Sequence, residues 1–227
     1  MRKYIRLLAL CMLVLTSAGI IYAQTATDHC YVIVRCTVTI SINIDDTASL
    51  VHLSTAGPNV FVVSGSSYVT VTNNSSGAIC KWRVRVSTQE YTTQDPPSGG
   101  WTVPTTGDYY WNLRENGQSA AGDVMTAALL CIFASSATTS CVSTDFDTDN
   151  ASDDIIGYSW VILEGAKMKH NSSIPPDDWP SGGTNADIAA GGIRNLFFGI
   201  RYPSAVADEF YRRFTVEVNA ALPGTAW

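Results

Sequence analysis

Short runs in which apolar and polar residues take turns recur along the chain. In residues 38–44, Val38, Ile40, Ile42 and Ile44 alternate with Thr39, Ser41 and Asn43, and residues 68–72 are rich in β-branched and aromatic types. A period of two is that of a β-strand with one buried face. Residues 79–86 alternate most cleanly: Cys80, Trp82, Val84 and Val86 share one face, while Lys81, Arg83 and Arg85 share the other. That pattern predicts a core tryptophan backed by a wet, basic surface. Between these two runs stands Asn73-Asn74-Ser75-Ser76-Gly77, a turn cluster, so 68–72 and 79–86 are expected to pair as a hairpin. Further strands are predicted over 59–63, 109–113, 125–133, 157–163, 196–202 and 210–218. In the last of these the alternation falters, and a bend or bulge is expected near Arg212 and Arg213. Helix is expected at most as a short piece around 184–190.

Many short strands separated by Gly, Pro, Asn and Ser turns specify an all-β sandwich or barrel. Residues 135–192 are loop-rich and polar apart from the strand at 157–163, and read as an elaborated end of that fold, where binding would be placed. Two loops carry nearly one string, Pro97-Ser98-Gly99-Gly100 and Pro180-Ser181-Gly182-Gly183. Their flanking strands do not match, so the string is read as a turn device rather than a duplication.

The N-terminus adds a location. Arg2, Lys3 and Arg6 precede an apolar run over 7–21 and then the small residue Ala23, the layout of a secretory signal peptide. Residues 1–23 are expected to be a cleaved leader and 24–227 a single β-sandwich domain, secreted or at the cell surface, with a periplasm as a further destination. A transmembrane anchor is the rival reading of the same run. After it, no stretch qualifies as a membrane span. Lipid attachment at Cys11 is rejected because Leu10 stands where a small residue is needed. The net charge of −6 argues against nucleic acid as a partner, since displacing its counterions takes a basic face.

Of six cysteines, Cys30, Cys36, Cys80, Cys131 and Cys141 survive removal of the leader. In an exported chain disulfides are the default use, and an odd number leaves one thiol over. Cys131 and Cys141 bracket a segment ending in small turn formers and are the preferred pair. Cys30 and Cys36 cannot bond along one extended strand, so one of them, Cys36 in the favoured version, is expected to reach Cys80. Irregular spacing and the absence of a C-x-x-C pair disfavour zinc.

Beyond these local features, the order of elements resembles small exported immunoglobulin-like proteins of uncharacterised environmental bacteria. The resemblance rests on the leader, on 69–74 running into the Trp82 strand, on Gly99-Gly100-Trp101 before Asp108-Tyr109-Tyr110, and on Leu196-Phe197-Phe198-Gly199-Ile200-Arg201-Tyr202-Pro203 followed by 214–218. It implies export and an immunoglobulin-like antiparallel β-sandwich with elaborated loops, and transfers no catalytic residue.

Candidate chemistry is sparse. Asp145, Asp147, Asp149 and Asp153 stand at positions 1, 3, 5 and 9 of a loop spaced like an EF-hand, which makes calcium the one cofactor to consider. Position 12 is Ile156 where a bidentate Glu is expected, so a solvated acidic loop is the competing reading. His29, His52 and His170 lie in no recognisable catalytic setting, and G-x-S-x-G, H-E-x-x-H and phosphate-cradling loops are missing. Trp101 and Trp179 fall in Gly- and Pro-rich loops, where a flat ring could stack on a sugar or fold back over the core. The leading expectation is therefore a non-catalytic structural or adhesive surface module, such as a subunit of an extracellular layer or fibre, whose partners are itself or other surface proteins. A carbohydrate-binding module using Trp101 and Trp179 on a polysaccharide comes second, and a hydrolase with an unrecognised carboxylate site last.

Overall fold

The computed structural model describes residues 53, 56–77, 79–94, 99–104, 110–148, 153–163, 188–205 and 210–222, together with the backbone of 42–44. All of them belong to the compact unit Val38–Trp227. The expected leader, Cys30, Cys36, the three histidines, Asp149 and Trp179 lie outside the described residues.

The strands are β1 (Ile42–Ile44), β2 (Phe61–Val63), β3 (Val69–Asn73), β4 (Lys81–Thr92), β5 (Asn112–Leu113), β6 (Thr126–Ser135), β7 (Val161–Ile162), β8 (Ile193–Arg201) and β9 (Tyr211–Ala221). They form the expected all-β sandwich of two sheets. The larger runs β1-β3-β8-β6-β5, with β2 also on β8, and the smaller runs β7-β4-β9. Every pairing is antiparallel except the short one between β5 and β6. Among the described residues no helix is long and apolar enough to cross a membrane. Of the short helix expected around 184–190, residues 188–190 form a bridge and a turn instead, Ile188 pairing with Cys80.

The inner faces follow the period-two pattern. Trp82, Val84 and Val86 of β4 meet Val69 and Val71 of β3, Leu129, Cys131 and Phe133 of β6, and Leu196, Phe198 and Ile200 of β8. Trp82 is fully buried, its ring 5.9 Å from that of Phe133. Burying so large a side chain is worth roughly 3 kcal/mol, so it anchors the two layers.

Three expectations are corrected here. The runs at 68–72 and 79–86 are not a hairpin: β3 pairs with β1 and β8, β4 with β7 and β9, and the turn cluster carries the chain from one sheet to the other. Both strands have a strongly apolar face, and stacking those faces across the core buries both at once, which edge-to-edge pairing would not. The irregularity expected at Arg212 and Arg213 sits on the partner strand, where Ser87 bulges between Val86 and Thr88. β9 itself keeps its alternation, with Phe214, Val216, Val218 and Ala220 packed on the core. Finally, residues 135–148 and 153–156 are not merely an elaborated end. They carry Cys141, Phe146 and Ile155, which with Ala120 cover the outer face of the larger sheet, against Ala128, Leu130, Ile132 and Ala134 of β6 and Phe197 of β8. β6 is thus buried on both faces, and its sequence TAALLCIFAS is continuously apolar for that reason.

Candidate functional site

Among the described residues, the outer side of the smaller sheet faces water, with Thr88, Thr215 and Asn219 exposed. On β4 the residues between Trp82, Val84 and Val86 point outward, and the Ser87 bulge resets the phase so that Gln89 faces inward while Thr88 and Glu90 face outward. On β9, Arg213, Thr215 and Glu217 share that outer side, opposite the core-facing Phe214 and Val216. The register sets three cross-strand pairs: Arg85 with Glu217, Thr88 with Thr215, and Glu90 with Arg213.

Both charged pairs close. Arg85 donates through Nε to the Glu217 carboxylate at 2.8 Å. Arg213 donates to Glu90 through Nε at 2.8 Å, with a second guanidinium nitrogen at 2.7 Å. The four side chains keep 36%, 42%, 40% and 20% of their surface for Arg85, Glu217, Arg213 and Glu90. Each pair contributes little stability at that exposure, about 0.2–1 kcal/mol. What it does is hold long, otherwise mobile side chains in one geometry.

Two tryptophans flank this ladder. Trp160 precedes β7 and stands beside β4, with the guanidinium carbons of Arg83 and Arg85 at 4.2 and 4.5 Å from its ring. Trp101 is brought in at the other end by a bridge between Thr102 and Tyr91 and lies half-buried, with the Arg213 guanidinium 4.5 Å from its ring. Such cation–π stacks fix both partners and leave the guanidinium edges for hydrogen bonding. The basic water-facing side of 81–85 and the loop position of Trp101 agree with the expectations. Trp160, Glu90, Arg213 and Glu217 were not anticipated as members of one surface. Their signal was the alternation of Trp160 with Val161 and of Arg213, Thr215 and Glu217 with Phe214 and Val216, but nothing local tells which strands would lie together.

In the described part of the acidic loop, 145–148 and 153–154, the carboxylates accept backbone N–H groups. The Asp145 carboxylate accepts the Val142 N–H at 2.7 Å, that of Asp154 accepts the Asp147 N–H at 2.6 Å, and that of Asp147 accepts the Asp153 N–H at 3.2 Å. Asp145 and Asp154 are buried. These carboxylates staple the loop that carries Phe146 and Ile155 onto the outer face of the larger sheet. Among the described residues no three His, Cys, Asp or Glu side chains gather as a ligand set.

The preferred disulfide, Cys131 with Cys141, is overturned. Cys131 points into the core between the sheets, whereas Cys141 packs on the opposite face of the larger sheet. A sheet stands between the two sulfurs, and both are free thiols. Cys80 is a free thiol as well, buried with its sulfur 3.2 Å from the Ser75 hydroxyl; Cys36, its expected partner, lies outside the described residues.

No protein-family model matches the chain, and no curated protein matches it.

Proposed function

We propose that this chain is an exported, non-catalytic structural or adhesive module of the cell surface or its surroundings, which engages other surface proteins or further copies of itself through the outer face of the smaller sheet. Export rests on the basic, apolar and small-residue layout of 1–23. The observation that supports the contact role is the ladder itself. Arg and Trp are enriched among the residues that carry most of the energy of protein interfaces. Here Arg83, Arg85, Arg213, Trp101 and Trp160 occupy one β face, held in place by stacking and by Glu90 and Glu217. A surface already ordered loses less side-chain entropy when it docks.

The test is to express the chain with its own leader, follow its exposure to protease on intact cells, and measure attachment of those cells to one another and to surfaces. The expectation is a surface-exposed protein whose attachment falls when Arg85 and Arg213 are both replaced by Ala. Retention inside the cell, or attachment unchanged by the double substitution, would sink this reading.

A polysaccharide is the second reading, favoured by Trp101 standing half-exposed beside the Arg213–Glu90 pair. A flat ring next to a cation and a carboxylate offers a sugar both a stacking surface and hydrogen-bond partners. Glycan-array binding lost in Trp101→Ala would support it; an array without signal for the unaltered chain would remove it.

A further inference from the structure

The four charges of the ladder form an alternating square. On β4, Arg85 is positive and Glu90 negative; on β9, the partner of Arg85 is the negative Glu217 and the partner of Glu90 the positive Arg213. Thr88 and Thr215 lie opposite one another at the centre, both short and exposed. We propose that this face docks on the same face of a second copy of the chain, forming a two-fold symmetric dimer. The proposal rests on the contact role given to the face above and names its partner.

The argument is one of symmetry. In a face-to-face dimer the two-fold axis lies in the plane of the interface, and the same patch serves on both sides. If the axis runs along the strands, β4 of one copy lies over β9 of the other: Arg85 meets Glu217 and Glu90 meets Arg213. If it runs across the strands, each strand lies over its own counterpart reversed: Arg85 meets Glu90 and Arg213 meets Glu217. Either rotation sets every charge of the square over one of opposite sign, so the pattern is complementary to itself. A face with one sign of charge, or with each sign confined to one strand, would repel itself under at least one of these rotations. Complementarity of this kind selects a second copy as the partner, in either of the two orientations. The central Thr88 and Thr215 present no bulky group, so the two faces can approach there while Trp101 and Trp160 close the rim.

The size of the patch sets the strength. β4 has twelve residues and so spans roughly 40 Å at about 3.3 Å per residue. With β9 alongside and the flanking tryptophans, the strip is roughly 15 Å wide and would bury about 1,200 Å² in total, near the lower limit for specific interfaces. The dimer is therefore reversible and depends on concentration and on salt.

The experiment is sedimentation equilibrium of the protein recovered from a secreting host, across a concentration series at low and high salt. Three forms are compared: the unaltered chain, E90K/E217K, whose ladder is all positive, and R85E/R213E, whose ladder is all negative. The unaltered chain should dimerise at low salt and weaken as salt rises. Each variant alone should lose roughly tenfold or more in affinity, and an equimolar mixture of the two should recover association as a heterodimer. An unaltered chain that stays monomeric throughout the series, or variants that dimerise as well as it does, would overturn the proposal. So would a mixture that fails to associate. Circular dichroism melts check folding, and if a charge-reversed chain does not fold, E90Q/E217Q and R85Q/R213Q replace the pair, each expected to weaken dimerisation. Cell attachment is measured separately on the same variants. A monomeric chain that still mediates attachment overturns the self-docking and leaves the adhesive reading standing.

Discussion

Gln89 holds the backbone of Trp111 with its side-chain amide. The Trp111 N–H donates to Oε1 at 3.1 Å and Nε2 donates to the Trp111 carbonyl at 2.8 Å, with a further bond from Nε2 to the Tyr158 hydroxyl. The amide takes the place that a neighbouring strand would occupy, and Gln89 is 2% exposed. In this way a loop residue is fastened where its indole can meet Tyr202, Phe214 and the Arg212 guanidinium at 6.0, 6.4 and 5.0 Å.

Replacing Gln89 by Ala leaves that N–H and carbonyl buried without the amide. The expected cost is about 2–4 kcal/mol, since each unsatisfied buried group costs about 1–3 kcal/mol. Gln89→Glu should recover only part of it, because a carboxylate accepts from the N–H but has nothing to donate to the carbonyl. Urea unfolding of the three chains is the check. Equal stability for Gln89→Ala and the unaltered protein would mean that the clamp contributes nothing.

The two faces of β6 make a second expectation. In a two-layer sandwich whose outer face met water, Leu130→Ala would be nearly neutral. Here Leu130 is fully buried under the segment that carries Cys141, Phe146 and Ile155, so the loss should be about 2–5 kcal/mol, as for other buried leucines. Leu129→Ala, on the opposite face, should fall in the same range. Paired thermal melts would read both.

Because Cys131 and Cys141 lie on opposite faces of the larger sheet, peptide mapping under non-reducing conditions should find no peptide linking them. Cys141→Ser should change stability by about 1 kcal/mol or less, whereas loss of a disulfide from a small exported domain costs about 2–5 kcal/mol. Thiol reagents should reach Cys131 only when the fold opens, since it is fully buried.

Alkali should destabilise the fold through groups buried in their neutral form. Burial, then the charge of Asp154, raises the Cys131 thiol well above its ordinary range. Burial first, then the Tyr110 hydroxyl, raises the Tyr158 phenol, and burial raises that of Tyr202. A group whose pKa is higher in the folded state contributes fully below its unfolded value and loses that contribution as pH rises toward the folded one. Stability should therefore be flat up to about pH 8.5, fall as the thiol's unfolded value is passed, and fall more steeply above about pH 10, the unfolded value of tyrosine. Urea midpoints measured from pH 7 to 11 would test this. Burial raises the Cys141 thiol as well, so Cys131→Ala should reduce the first part of the decline, Cys131→Ala with Cys141→Ala should remove it, and both should leave the second.

What could be read from the chain alone was what each strand does to its own side chains. Alternation is stereochemistry: successive residues of a strand point to opposite faces, so Cys80, Trp82, Val84 and Val86 had to part from Lys81, Arg83 and Arg85 wherever that strand went. The all-β class and the wet basic side of β4 followed from that. Which strands lie together is decided instead by burial between segments far apart in sequence. The turn after β3 was compatible with a hairpin, yet two apolar faces bury more when stacked across a core. The cysteines ten residues apart were compatible with a bridge, yet β6 needed covering on both sides, and the chain that covers it carries Cys141 away from Cys131. The charged square joins Arg85 to Glu217 across 132 positions, in a register set by a one-residue bulge at Ser87. Periodicity is a property of neighbours and is written in the sequence; register and layer assignment are properties of the packed whole and exist only once the chain has folded.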